Sequence, residues 1–157
     1  MNPVIGSPAP AFTLYDSEKN NVSLSDFKGK NILILFFPLA FTSICTSELC
    51  AIRDNINKFN NLEVQILAIS VDSLYTLARY KSDQNLNFTM LSDFNKEVSS
   101  QYNTLYELFS YGMRGVSKRS AFIIDKQGII RYSEILEDAS KLPDLQGIEK
   151  MLQELSD

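Results

Sequence analysis

The stretch "FFPLAFTSICTSELC" carries both cysteines of the chain, Cys45 and Cys50, five positions apart and directly after an apolar run and a proline, in a sequence with no histidine. A thiol reacts as its thiolate, so the first question is what would favour the charged form. Without histidine, no Ser-His or Cys-His nucleophile pair can form, and two cysteines alone do not make a structural zinc site. Activation has to come from a helix terminus or from a fixed cation. The plainer alternative is that each thiol is a small buried hydrophobe, a common fate of free cysteine.

The residues around the thiols predict a helix over 45–62. On a wheel of about 100° per residue, Leu49, Ile52, Ile56 and Phe59 all fall within about 40° of Cys45, whereas Cys50 falls about 140° away. Cys45 therefore heads an apolar stripe that faces a core, and Cys50 looks elsewhere. Cα atoms five residues apart in a helix are roughly 8.6 Å from each other, and a disulfide spans about 4.4–6.8 Å. A Cys45–Cys50 bond thus requires the first turn or two to unwind. Thr46 and Ser47, of middling helix propensity, make that end weak. Thr42 or Ser43 is the natural N-cap, which puts Cys45 in the first turn, where free N–H groups and the positive dipole end favour a thiolate. A nearby arginine would be a second source of activation. Glu48 is a further candidate, an acid of the same helix start.

The elements that would position this segment follow from apolar patterning. "AFTLY", the polar turn "DSEKNN" and "VSLSDF" predict an N-terminal β-hairpin. "NILILFFP" is a continuous apolar run that ends at Pro38, as in a strand buried on both faces. "EVQILAISVD" is a second such strand, followed by a helix over 73–85 that Ser73 would cap. "FTMLSD" predicts a strand and "NKEVSSQYN" a short helix. After a loop with two glycines, "SAFIIDKQGIIRYSEIL" predicts two antiparallel strands turning at "DKQG". Leu145, Ile148, Met151, Leu152 and Leu155 recur at helical spacing in a closing helix. Helices between buried strands imply an α/β fold: a central mixed β-sheet flanked by helices on both faces.

Composition sets the outer bounds. The 157 residues are 45% hydrophobic and 22% charged, which predicts one globular domain over 1–157. A net charge of −4 argues against a nucleic-acid partner. The opening residues lack a basic region followed by a long apolar core, and "ILILFFPLAF" is too short to span a bilayer. The expectation is an intracellular, cytoplasmic protein with no membrane partner. In such a reducing compartment two thiols are reactive or inert, not a permanent staple.

"P-L-A-F-T-S-I-C" resembles the Pro-x-x-x-Thr-x-x-Cys signature of the peroxiredoxins, thiol peroxidases with a thioredoxin-like fold, and the likeness extends over nearly the whole chain. "GSPAPAFTL" resembles the family's opening strand. "FFPLAFT" and "RSAFIIDKQGIIRYSEI" resemble the AhpE-like branch, whereas a second cysteine five residues after the first resembles the PrxQ, or bacterioferritin-comigratory-protein, branch. The resemblance implies that Cys45 is the peroxidatic cysteine and Cys50 the resolving one. It implies that Thr42 hydrogen-bonds the thiolate and the peroxide, and that Pro38 shields the pocket from water. It matches Arg119, in "KRSAF", to an arginine that stabilises the thiolate and polarises the peroxide bond. Hydrogen peroxide or an organic hydroperoxide would be the substrate and a thioredoxin-type dithiol the reductant, with no metal, haem or flavin. A monomer and a homodimer are both compatible with the two branches. Three other readings stay open: a one-cysteine peroxidase resolved by an external thiol, a peroxide-sensing redox switch or binding module, and a purely structural domain.

Overall fold

The computed structural model describes residues 3–156. β1 (Thr13–Asp16) and β2 (Asn21–Ser23) pair antiparallel and form the expected N-terminal hairpin. β3 (Asn31–Phe36) is buried at all six positions, as its unbroken apolar run predicts. It pairs in parallel with β4 (Val64–Ser70), and β4 pairs in parallel with β5 (Thr89–Ser92). On its other side β3 meets β6 (Ser120–Ile124) antiparallel, and β7 (Ile130–Ile135) closes that edge, antiparallel to β6. The result is one mixed seven-stranded sheet in the order β2-β1-β5-β4-β3-β6-β7. The turn between β6 and β7 is held by Asp125, whose Oδ1 accepts from the N–H groups of Gln127 and Ile129.

Both faces are covered. On one, Leu33, Leu35, Ile66, Ala68 and Ile123 pack against α1 (Ser43–Asp54), α2 (Ile56–Asn61), α3 (Leu74–Gln84) and α5 (Leu145–Ser156). On the other, Ile32, Ile34, Phe36, Leu67 and Phe122 pack against Val98 of α4 (Glu97–Gln101), Tyr102 and Phe12. The alternation of β3 residues between the two clusters is the period-two rule of a strand. Ile148 and Leu152 of α5 are buried and Leu145, Met151 and Leu155 pack beside them, as their spacing predicts. Among the described residues no helix is long and apolar enough to cross a membrane.

Two elements differ from expectation. The strand predicted over 22–27 stops at Ser23, and Leu24–Phe27 form a 3-10 turn. The Ser23 N–H donates to Asp26 Oδ2 at 2.9 Å, so a Ser-x-x-Asp cap ends the strand. The helix predicted over 45–62 starts earlier, at Ser43, and is broken at Asn55 into α1 and α2. Asn55 leaves helical geometry at φ −111°, ψ 20°, and its side-chain amide donates to the Ala51 carbonyl at 2.8 Å. A side chain that takes the carbonyl four residues back competes with the helix ladder.

The start of α3 matches expectation: Ser73 Oγ accepts from the Thr76 N–H at 3.1 Å. Ser73→Ala should lower stability by about 1 kcal/mol. Urea denaturation checks this, and an unchanged midpoint would show that the cap contributes nothing.

Candidate active site

The strand registers converge on one end of the sheet. β3 and β4 run parallel with Phe36 opposite Ile69, so the loops that follow them emerge side by side. β6 runs the other way with Ser120 opposite Phe36, so Arg119 sits at the same end. The loop after β3 carries Pro38 to Thr42, and α1 begins directly after it. Pro38 is buried, ending the strand at the rim of this cluster.

Thr42 occupies the N-cap position of α1 with extended backbone (φ −94°, ψ 153°), which places Cys45 in the first turn as expected. Cys45 is 1% exposed and packs with Leu49 and Ile52 in the helical-face core. Cys50 is half-buried, and its Sγ donates to Gln84 Oε1 of α3 at 3.6 Å. Both thiols are free and lie on one continuous helix.

Arg119 is 1% exposed, an uncommon place for a guanidinium. Its Nη1 donates to Cys45 Sγ at 3.4 Å and to Glu48 Oε1 at 2.7 Å, and its Nη2 donates to the Ala139 carbonyl at 3.0 Å. Glu48 is only 2% exposed. The structure thus brings Cys45, Glu48 and Arg119 to one place, with the buried Pro38 in the loop that leads into their helix. Burial pushes the Glu48 carboxyl up from 4.5 to about 7; the charge of Arg119 and its hydrogen bond oppose the shift, and Glu134 adds slightly to it. Burial acts to lower Arg119, but its interactions with the Cys45 and Glu48 side chains outweigh that and raise it. The guanidinium is therefore a permanent positive charge against the sulfur, able to stabilise an anion there. Glu48 Oε2 and Arg119 Nε are buried without a hydrogen-bond partner.

Thr42 is placed differently from its expected partner. Its side chain is exposed, and its hydroxyl donates to the Leu39 carbonyl at 2.8 Å, which commits its single proton to the loop backbone. The hydroxyl's lone pairs remain available to accept. Lys118 pairs with Glu137 at 2.7 Å.

Sequence reading missed three contributors. Asp72, just after β4, accepts from the Ala40 N–H at 2.8 Å and from Ser70 Oγ at 2.7 Å, and so fixes the loop that carries Thr42. The signal was there: loops at the carboxyl ends of neighbouring parallel strands meet. The Ala139 carbonyl has no sequence signal at all, because every residue carries one. Tyr80, on α3, is buried, with its hydroxyl 2.9 Å from Thr46 Oγ1.

The chain is similar to proteins already known. The model of the AhpC/TSA family matches residues 5–133. A Mycobacterium bovis protein named alkyl hydroperoxide reductase E is 39% identical over 134 residues, covering 83% of this chain and 84% of that protein. The reduced 2-Cys peroxiredoxin of Plasmodium vivax aligns with a TM-score of 0.83 at 30% identity, over 95% of this chain and 80% of the other. Peroxidoxin BcpB of Mycobacterium tuberculosis aligns with a TM-score of 0.86 over 98% of this chain and 99% of the other; at 22% identity that likeness is one of fold, and it bears out the thioredoxin-like architecture expected from the sequence.

Proposed function

Because this chain belongs to the AhpC/TSA family and is a thiol-dependent peroxidase of the peroxiredoxin kind, we propose that Cys45 reduces hydrogen peroxide and organic hydroperoxides and that Cys50 resolves it. The observation that carries this reading is the buried Arg119 guanidinium, 3.4 Å from a sulfur in the first turn of a helix. The Cys45 thiolate attacks one peroxide oxygen, the O–O bond breaks, and the leaving oxygen takes a proton and departs as water or an alcohol. Negative charge develops on the oxygens as the bond breaks, and donors already aimed at the sulfur stabilise it without rearranging. Arg119 and the free N–H groups of the helix start are those donors. Pro38 keeps water out. Thr42 acts by accepting from the peroxide, since its own proton is held by Leu39. Glu48 holds Arg119 in line.

Cys45 is left as a sulfenic acid. The Cys50 thiol attacks it, water leaves, and an intramolecular disulfide forms. The wound helix keeps the sulfurs on different sides, so this step requires α1 to open from its start. Opening also brings the disulfide to the surface, where a thioredoxin-type dithiol reduces it by exchange and is itself oxidised.

Thioredoxin-coupled turnover, with the intact mass read after one equivalent of peroxide, tests the cycle. The wild type should lose two hydrogens, Cys50→Ser should gain one oxygen, and Cys45→Ser should show neither change and no turnover. A wild type that gains a stable oxygen would assign resolution to an external thiol. Full activity in Cys45→Ser would remove the reading altogether.

A further inference from the structure

We propose that Tyr80 is a positioning residue that latches the first turn of α1 shut, and so sets how fast Cys50 reaches an oxidised Cys45. This rests on the two-cysteine cycle above. Tyr80 is fully buried, and its hydroxyl lies 2.9 Å from Thr46 Oγ1. Thr46 follows Cys45 directly and lies in the segment that has to unwind before the disulfide can close. The Tyr80 ring also lies 4.9 Å from the ring of Phe41, centroid to centroid, and 6.3 Å from that of Phe37. Phe41 has φ +67°, in the left-handed region that disfavours a bulky side chain, and it stands just before the cap residue Thr42. One side chain of α3 thus grips the backbone entering α1 and the first turn inside it.

The contacts between α3 and α1 continue along the helix. Gln84 accepts from Cys50 Sγ at 3.6 Å, and Arg53 Nη1 donates to the Gln84 carbonyl. Cys50 and Arg53 belong to the half of α1 that can stay wound. The Tyr80–Thr46 contact belongs to the half that cannot. Burial raises the Tyr80 phenol to about 12, so it remains a neutral hydroxyl wherever a thiolate reacts. The latch therefore does not loosen with pH in that range.

A latch of this kind prolongs the time the sulfenic acid stays in the wound site, where a second peroxide converts it to the sulfinic acid. Loss of one such hydrogen bond corresponds to about a fivefold change in the opening equilibrium.

The experiment is rapid mixing of the reduced protein with peroxide, with quenched mass analysis, on the wild type, Tyr80→Phe, Thr46→Val and the double variant. Tyr80→Phe keeps the ring, and Thr46→Val reads the same bond from its other end. The proposal expects sulfenic acid formation at the wild-type rate and disulfide formation about fivefold faster in each single variant. It expects no further gain in the double variant, and sulfinic acid at a fixed peroxide excess reduced by the same factor. Disulfide formation at the wild-type rate in both single variants overturns the latch and leaves the two-cysteine cycle standing. A wild type that forms no Cys45–Cys50 disulfide overturns both.

Discussion

Replacing Arg119 by methionine is expected to slow the reaction of the reduced protein with peroxide by about 100- to 1,000-fold, the cost of removing one preorganised donor from a developing anion. Methionine fills similar volume, so packing is largely retained. What disappears is the charge at 3.4 Å from Cys45 Sγ and the donor shared with Glu48. Glu48 is expected to become a neutral carboxylic acid once its cation is gone, because burial already works against its charge. Arg119→Lys should regain only part of the rate. An ammonium supplies charge, but not the planar fork that reaches Cys45, Glu48 and the Ala139 carbonyl together. Stopped-flow mixing with hydrogen peroxide gives the rate constant, and denaturation curves confirm that the variants are folded. A methionine variant within threefold of the wild type would show that the guanidinium is a structural ion and not part of the reaction.

That arginine also shows what a sequence can and cannot convey. Its type and its place just before an apolar strand were legible, and so was a cysteine at a helix start. The distance between them was not, because it depends on the antiparallel register of β3 and β6, which sets Ser120 opposite Phe36. Apolar runs located the strands because a strand buried on both faces has no polar position to blur it. Local hydrogen bonds made by polar side chains were harder to see. Asn55 breaks a pattern that reads as one helix, and Asp26 turns a strand into a 3-10 turn, each through a single side-chain contact. Of the two cap candidates, Thr42 and Ser43, Thr42 takes the position, yet its proton goes to Leu39, a choice that only the folded loop determines. Glu48 looked like an ordinary acid of a first turn, where solvent and the helix dipole would suffice. Tertiary packing buries it instead, and burial changes its chemistry.

Glu48→Ala is expected to lower stability by about 3–5 kcal/mol, since it leaves a buried guanidinium without its hydrogen-bonding partner. The dependence on pH is the sharper part of this expectation. Glu48 titrates at about 7 in the folded protein against an ordinary value of 4.5. Between those values the folded protein holds a proton that the unfolded chain has released. The contribution of Glu48 is therefore fully present below the ordinary value and is lost as pH rises through the folded one, at a limiting slope of about 1.4 kcal/mol per pH unit. Neither Glu48→Ala nor Glu48→Gln titrates at this position. Their deficit relative to the wild type should be largest near pH 5 and should narrow towards pH 8, and Glu48→Gln, which retains a hydrogen-bonding oxygen for Arg119, should lie closer to the wild type throughout. Urea denaturation of the reduced proteins at the two pH values measures this. A deficit that widens with pH would mean that attraction to Arg119 outweighs burial and that the carboxylate is held below its ordinary value. The site would then be a permanent ion pair, and Glu48 would hold Arg119 beside the sulfur with equal strength across the whole working range.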